Sequence, residues 1–206
     1  MTNQIQTSRR NGASADINGT VDARASIGTR PLGPGDREPL ARFFTRLGPE
    51  SRYRRFFALK RELTPRELDW LTAIDHIDHE AIVAVDRRDG SIVGVCRYVR
   101  EPDRPMSAEL AIAVADACQE MGIGTILGEQ VVRRAVENGF TQVRAFTLSG
   151  NRSARSLLRR LGFQIVRREG SEVELVLELR GAGGIVLPLR EPSNHHHDQH
   201  DSQGHP

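Results

Sequence analysis

Lysine is almost absent from this sequence of 206 residues, in which Lys60 is the only lysine and the other basic residues are arginines. Cysteine is scarce too, with Cys96 and Cys118 alone. No secretory signal precedes them, so we expect a cytoplasmic protein with both cysteines as free thiols. No apolar run approaches the length of about 18 residues that a membrane-spanning helix needs, so we expect no membrane association.

A strong charge of either sign is also lacking. The formal net charge is +2, which argues against a dedicated nucleic-acid-binding protein. We attribute the scarcity of lysine to coding bias.

The length allows one domain with a sizeable core and a tail at each end. Residues 1–25 are polar and aperiodic and predict a disordered N-terminal tail, and residues 26–180 form the predicted domain. Residues 181–206 predict a flexible tail that holds five of the seven histidines. Their loose spacing favours disorder or adventitious metal binding over a built site, so we predict no metal.

The stretch from Ala108 to Gly139 reads as a strand, a short loop and a helix. Leu110, Ile112 and Val114 predict a buried strand. After the loop, Leu127 begins an apolar repeat of four residues that predicts an amphipathic helix, and Asn138-Gly139 ends it.

The loop contains Gly122 and Gly124 directly before the helix. Unpaired N–H groups at such a helix start, together with the helix dipole, suit a phosphate or pyrophosphate. Glycines also let the backbone approach an anion closely. The loop matches neither a Walker loop nor a three-glycine dinucleotide motif, and a plain strand-to-helix turn is the alternative.

The remaining pattern predicts an α/β (α+β) domain with a mixed, largely antiparallel central sheet flanked by helices. Thr64-Pro65-Arg66-Glu67 is a capping box with proline at the first helical position, and Asp89-Gly90 predicts a hairpin turn. Residues 101–106 predict a proline-rich loop. The expected strands are residues 26–32, 81–86, 91–99, 108–114, 142–147, 163–168 and 172–179. Besides the helix that follows the glycine loop and the one that the capping box starts, helices are expected at residues 35–47 and at about 151–161.

Two polar segments leave alternatives open. Residues 51–60 interleave arginines with Tyr53, Phe56 and Phe57, which favours a helical turn with inward aromatics and solvated arginines over a substrate-facing lip. Residues 75–80, DHIDHE, resemble metal ligands but lack a second ligand cluster, so a loop with solvated charges is favoured. The alternative is a histidine that faces the substrate.

The spacing Gln119-x-x-Gly122-x-Gly124 after a buried strand, followed by the segment from Asn151 to Phe163, resembles the acetyl-CoA-binding core of the GNAT N-acetyltransferases. The resemblance covers about residues 27–180. Residues 30–32, 51–56 and 108–110 are most similar to the catalytic domain of bacterial protein lysine acetyltransferases, some of which carry a further regulatory domain that this chain is too short to contain.

The resemblance implies acetyl-CoA as cofactor and a primary amine as acceptor, with a protein lysine preferred. It places the general base at Glu109. It also implies that the cofactor contacts the central strand, the loop and the start of the last helix, namely Ile112, Ala113, Val114, Gln119, Glu120, Met121, Gly122, Ile123, Gly124, Thr125 and Asn151. From the sequence alone Asn151 is also a good N-cap.

The chain departs from the family at Leu158, where many relatives have a tyrosine that protonates the leaving thiolate. Leucine cannot donate a proton, so the thiolate leaves unassisted, water supplies the proton, or another group such as Tyr98 does. Two alternative functions stay open. One is an acetyltransferase of small amines (metabolites or antibiotics), which a deep acidic acceptor pocket would favour, and the other is a non-catalytic acetyl-CoA sensor, which the leucine at position 158 favours and Glu109 opposes.

Overall fold

Seven strands form one sheet in the computed structural model, which describes residues 26–179. The strands are β1 (Ile27–Pro31), β2 (His79–Asp86), β3 (Ile92–Glu101), β4 (Arg104–Val114), β5 (Gln142–Leu148), β6 (Gln164–Glu169) and β7 (Glu172–Glu178). Their order is β1-β2-β3-β4-β5-β7-β6. Only the pair β4–β5 in this sheet is parallel, which confirms the predicted mixed, largely antiparallel sheet. The two predicted tails, and Arg180 at the end of the predicted domain, lie outside the described residues.

Five helices accompany the sheet within residues 26–179. They are α1 (Arg37–Arg46), α2 (Pro49–Phe56), α3 (Pro65–Thr72), α4 (Ile123–Glu137) and α5 (Arg152–Arg160), with 3-10 turns at Pro34–Asp36 and Asp116–Cys118. The capping box predicted for α3 is present, since Thr64 accepts from the Glu67 N–H and the Glu67 carboxylate accepts from the Thr64 N–H. None of these helices has the length and apolarity that crossing a bilayer requires.

The predicted proline-rich loop at residues 101–106 is wrong. Strand β3 continues to Glu101 and β4 starts at Arg104, so a tight turn joins them. Pro105 fits in β4 because the pairing of β4 with β5 begins only at Ser107.

Each face of the sheet has its own apolar core. One cluster packs α4 and α5 against side chains such as Cys96, Tyr98 and Leu110. The other packs α1 and α3 against Ala81, Val83 and Val95. Because successive residues of a strand point to opposite faces, Arg97 and Glu109 lie on the α1–α3 face, and their neighbours Tyr98 and Leu110 lie on the α4 face.

Candidate functional site

Strands β4 and β5 separate halfway along their length. They pair from Ser107 opposite Gln142 to Leu110 opposite Ala145. Beyond that point β4 still pairs with β3, and β5 still pairs with β7. One backbone edge of β4, from Ala111 to Val114, therefore faces an opening in the sheet rather than a neighbouring strand.

The hydrogen bonds to β3 show which groups of β4 face this opening. The N–H of Ala115 donates to the Val93 carbonyl, so its alternate neighbour Ala113 also points toward β3. The N–H groups of Ile112 and Val114 then point into the opening. The Val114 carbonyl faces the same way and accepts from Gln119 Nε2 at 3.2 Å.

The loop after β4 ends in a row of unpaired backbone donors. Glu120 and Gly122 have positive φ angles of 64° and 79°, and Gly122 is the N-cap of α4. Within residues 26–179, no acceptor is bound to the N–H groups from Glu120 to Gly124, whereas the N–H of Thr125 bonds to the Gly122 carbonyl. This geometry, at the start of a 15-residue helix, suits a pyrophosphate, as the sequence predicts.

The side chain of Gln119 holds the loop in place. Besides Val114, it contacts Asp116 Oδ1 at 3.2 Å and Ser51 Oγ at 3.3 Å. Asp116 in turn accepts from the Gly48 N–H and the Ser51 hydroxyl at the start of α2. The Gln119 amide thus joins the loop to β4 and α2, and acts on a ligand through the shape of the loop.

Helix α5 forms the wall opposite α4. Asn151 Oδ1 accepts from the Ala154 N–H at 3.1 Å, as expected of an N-cap. Gly124 packs closely against this helix, because a Cβ built there would lie 3.0 Å from Leu157 Cδ2. Glycine at position 124 therefore sets the approach of the two helices as well as the shape of the loop.

These elements enclose a cavity of about 1170 Å³, which we call the large cavity. All but one of the predicted site residues line it: Glu109, Ile112, Ala113, Val114, Gln119, Glu120, Gly122, Ile123, Gly124, Thr125 and Asn151. Met121 is the exception, because it packs against the apolar core under α4. The residues predicted from the sequence are thus brought together, apart from one side chain.

A second cavity of about 710 Å³, the small cavity, lies on the α1–α3 face of the sheet. Arg55, Glu109 and Ala111 line both cavities, so the two meet at these residues. Trp70 of α3 and Arg97 of β3 also line the small cavity. A ligand in the large cavity and a second molecule in the small one would therefore meet beside the Glu109 carboxylate.

Glu109 keeps contact with solvent but is partly desolvated by the walls of the cavities. This desolvation raises the pKa of Glu109, and the nearby Glu101 adds to the rise. The positive charges of Arg55 and Arg144 oppose it. A carboxylate with a raised pKa is a better proton acceptor than one with an ordinary pKa.

The prediction for residues 51–60 is wrong in two respects. The segment forms a regular helix from Pro49 to Phe56, in which Tyr53 is exposed rather than buried. Arg55 is not simply solvated, since desolvation lowers the pKa of Arg55 and its guanidinium lies 4.8 Å from the Phe56 ring centre. The alternative of a lip that faces the substrate describes the position of Arg55 better.

The predicted loop of solvated charges at residues 75–80 needs correction as well. Glu80 is fully buried and bonds to His76 Nδ1 at 2.8 Å, and His79 is buried beneath Trp70 with ring centres 4.9 Å apart. Strand β2 starts at His79, which draws both residues into the core. No group of three metal-ligating side chains occurs among residues 26–179.

Tyr98 is not placed to protonate a leaving group. It lies on the α4 face, fully buried, where its hydroxyl donates to the Ile77 carbonyl at 3.0 Å and accepts from Asn138 Nδ2 at 2.6 Å. Neither cavity includes it. Burial raises the pKa of Tyr98 to about 12, so this alternative is wrong.

Sequence reasoning missed Trp70 and Arg97 as residues of the small cavity. Trp70 is an exposed aromatic residue between the buried Leu68 and Leu71, and Arg97 is a charge within an otherwise apolar strand. Each breaks the pattern of its element, and such breaks often mark a site.

Residues 42–163 match the acetyltransferase (GNAT) family, and an acetyltransferase of Pseudomonas aeruginosa is 32% identical over 166 residues, covering 77% of this chain and 89% of that protein. The chain therefore belongs to the GNAT family of acetyltransferases and is an acyltransferase. The sequence resemblance and the predicted fold class are thereby confirmed.

Two solved structures share the fold. The GNAT domain of Streptomyces lividans PAT is 28% identical, with a TM-score of 0.69 over 73% of this chain and 89% of that one. The acetyltransferase yncA of Salmonella typhimurium, solved with its cofactor acetyl-CoA, is 16% identical, with a TM-score of 0.65 over 77% of this chain and 97% of that one. Membership of the family supports acetyl-CoA as the acetyl donor, as the sequence predicts.

Proposed function

We propose that this chain transfers an acetyl group from acetyl-CoA to the side-chain amine of a protein lysine, with Glu109 as general base. The observation that carries the proposal is the position of Glu109 at the junction of the large and small cavities. The donor occupies the large cavity, and the acceptor amine enters through the small one. No other carboxylate in residues 26–179 lines both cavities.

The large cavity fits acetyl-CoA because its walls present backbone N–H groups without a partner in residues 26–179. Acetyl-CoA supplies an acetyl group activated as a thioester. The unpaired N–H groups from Glu120 to Gly124 bind the pyrophosphate, and the free edge of β4 pairs with the pantetheine arm as an added strand would. The N–H of Ile112 or Val114, which points into the opening, is the candidate donor to the negative charge that develops on the carbonyl oxygen.

Glu109 then performs the proton transfer. A lysine amine with a pKa near 10.4 is mostly protonated at neutral pH and must lose a proton before it attacks. The Glu109 carboxylate accepts that proton directly or through one water molecule and passes it to solvent. Leu158 cannot protonate the leaving sulfur, but an alkyl thiolate takes a proton from water at neutral pH, since even the cysteine thiol has a pKa of about 8.5.

The charge of the small cavity supports a protein lysine over a small amine held in a deep acidic pocket. Its acidic residues are matched by arginines, since Glu67, Glu101, Asp103 and Glu109 share the wall with Arg55, Arg97, Arg100, Arg104 and Arg144. The similarity of residues 51–56 and 108–110 to lysine acetyltransferases favours the same acceptor. The free thiols of Cys96 and Cys118 support a cytoplasmic location, which belongs to this proposal.

The test is to incubate the purified protein with isotopically labelled acetyl-CoA and a lysate of its source cell. The Lys60→Arg variant is used throughout, because it removes the only lysine of the chain and with it self-labelling at a side chain. Label in proteins that is lost with Glu109→Gln supports the proposal. Label confined to small molecules would instead indicate an amine metabolite or antibiotic, and label in neither fraction despite donor binding would indicate a sensor.

A further inference from the structure

Two arginines in the small cavity, Arg97 and Arg55, are withdrawn from solvent and form no ion pair with a carboxylate of residues 26–179. Arg97 is 3% exposed, and its Nη1 donates to the Leu71 carbonyl at 3.1 Å and contacts His79 Nε2 at 3.0 Å. Its other two guanidinium nitrogens make no hydrogen bond within residues 26–179. Arg55 likewise forms no ion pair or hydrogen bond there; its guanidinium lies over the face of Phe56, and the charge of the nearby Glu109 acts on it without direct contact.

The other three arginines around the same cavity are either paired or solvated. Arg100 pairs with Asp78 at 2.7 Å. Arg144 pairs with both Glu101 and Glu174 at 2.5 Å. Arg104 forms no ion pair within residues 26–179 either, but it is exposed and water solvates its charge. Among the arginines of this cavity, a charge that is both unpaired and desolvated therefore occurs at two positions.

Arg97 lies close to the proposed base. On the paired strands, Arg97 is opposite Ala111, and Glu109 is opposite Val99, so the two charged side chains are diagonal neighbours on one face of the sheet. Diagonal neighbours of this kind are about 7–8 Å apart. A molecule whose amine reaches Glu109 would hold its adjoining atoms beside the guanidinium of Arg97.

A buried charge without a partner is unfavourable. Desolvation, followed by the positive charge of Arg55, lowers the pKa of Arg97 to about 9. The hydrogen bond from Nη1 to the Leu71 carbonyl, in the last turn of α3, stabilises part of this charge, because a cation is favourable at a helix C-terminus. The remaining nitrogens, and the whole of Arg55, are left available for an anion.

We propose that Arg97 and Arg55 bind a carboxylate of the acceptor, next to the amine that faces Glu109. This inference rests on the proposed function, since it assigns the small cavity to the acceptor. In a protein acceptor the carboxylate is an acidic side chain beside the target lysine. In a free amino acid it is the molecule's own carboxylate, and the same chemistry recognises both.

The test measures binding without turnover. Trp70, the only tryptophan of the chain, lines the small cavity, so its fluorescence reports occupancy with no acetyl-CoA present. The ligands are two capped lysine peptides that differ only in having glutamate or glutamine beside the lysine. We expect the glutamate peptide to bind at least about tenfold more tightly, as is typical of a charge-assisted hydrogen bond.

Three substitutions locate the effect. Arg55→Met and Arg97→Met should remove the preference for the glutamate peptide. Arg97→Lys keeps the positive charge and should retain part of the preference, and it replaces Arg97→Met if that variant fails to fold. Arg104→Met is the matched control, because Arg104 is an exposed arginine of the same cavity and should keep the preference. Equal binding of both peptides to the unmodified protein, together with no arginine-dependent binding of free glutamate or glycine, would overturn the proposal, as would an equal loss in the Arg104 variant.

Free glutamate and glycine are titrated in the same way. If free glutamate or glycine binds and the binding is lost in the arginine variants, the carboxylate belongs to a free amino acid. If only the binding of the glutamate peptide depends on the arginines, the carboxylate belongs to an acidic residue beside the lysine. Because no step of this assay needs acetyl transfer, a failure of the proposed catalytic function would leave its result intact.

Discussion

The guanidinium of Arg55 and the carboxylate of Glu109 face the same junction from opposite elements, α2 and β4. The charge of Arg55 lowers the pKa of Glu109 against the larger effect of desolvation, which raises it. Helix α2 thus moderates the proton affinity of the proposed base. Hydrogen bonds of Gln119 and Asp116 connect the start of that helix to the loop after β4.

Glu109 should make the fold less stable at neutral pH. Its folded pKa is raised, so its contribution to stability is present below the unfolded pKa of about 4.3 and is lost as the pH rises through the folded value. Glu109→Gln should therefore raise the melting temperature at pH 7, with a gain that shrinks toward pH 4. The control Glu101→Gln should lower it at pH 7, because that change removes a partner of Arg144. A lower melting temperature for Glu109→Gln at pH 7 would contradict the account.

Gly122→Glu should weaken acetyl-CoA binding by at least about tenfold while the protein stays folded. The new carboxylate repels the pyrophosphate, and a side chain is strained at φ 79°. Gly90→Glu is the matched control, because Gly90 has a φ of 72° in a turn remote from both cavities. Titration calorimetry measures the acetyl-CoA affinity of both variants. Unchanged affinity in Gly122→Glu would refute the proposal that the N–H groups from Glu120 to Gly124 bind the pyrophosphate.

Tyr98→Phe should affect stability rather than catalysis. It removes the bond to Ile77 and leaves the Asn138 amide with one acceptor fewer, which costs roughly 1–3 kcal/mol. We expect kcat to stay within about twofold while the urea midpoint falls. A loss of kcat of about a hundredfold, with stability unchanged, would return Tyr98 to the role of proton donor.

His79 should make the fold sensitive to acid. Burial, followed by the charge of Arg97, lowers the pKa of His79 to about 4, below the ordinary 6.5. The stability that the neutral ring provides is thus present above pH 6.5 and is lost as the pH falls toward 4. We expect urea unfolding to show a loss of about 2 kcal/mol between pH 7 and pH 5 from this residue.

The His79→Gln variant isolates that effect, because its amide oxygen can still accept from Arg97. Its stability should change less than that of the unmodified protein over the same pH interval. The same loss in both proteins would show that other groups cause the acid sensitivity.

The sequence predicts most of the cofactor side of the site because local patterns determine it. The glycines of the loop, the apolar repeat of α4 and the N-cap Asn151 all act within a few residues of chain. The strand pairs were likewise readable from alternation and from the Asp89-Gly90 turn.

The small cavity, which we assign to the acceptor, was not predictable in the same way. The small cavity combines α2, α3 and three strands, and only their packing shows that Arg55 and Arg97 lie near Glu109. His79 and Glu80 look like loop residues in the sequence because strand propensity does not favour them. Their burial depends on partners far along the chain, Arg97 and Arg134.

The pH dependence of kcat/KM for a lysine peptide, compared between the unmodified protein and Glu109→Gln, tests the central claim most directly. If Glu109 is the base, activity falls as the pH drops through its raised pKa, and the variant loses this acidic limb together with at least about tenfold of the rate at neutral pH. The rise at alkaline pH, which reflects the peptide's own amine, remains in both. Superimposable profiles, with equal rates at neutral pH, would contradict the assignment of Glu109 as the base.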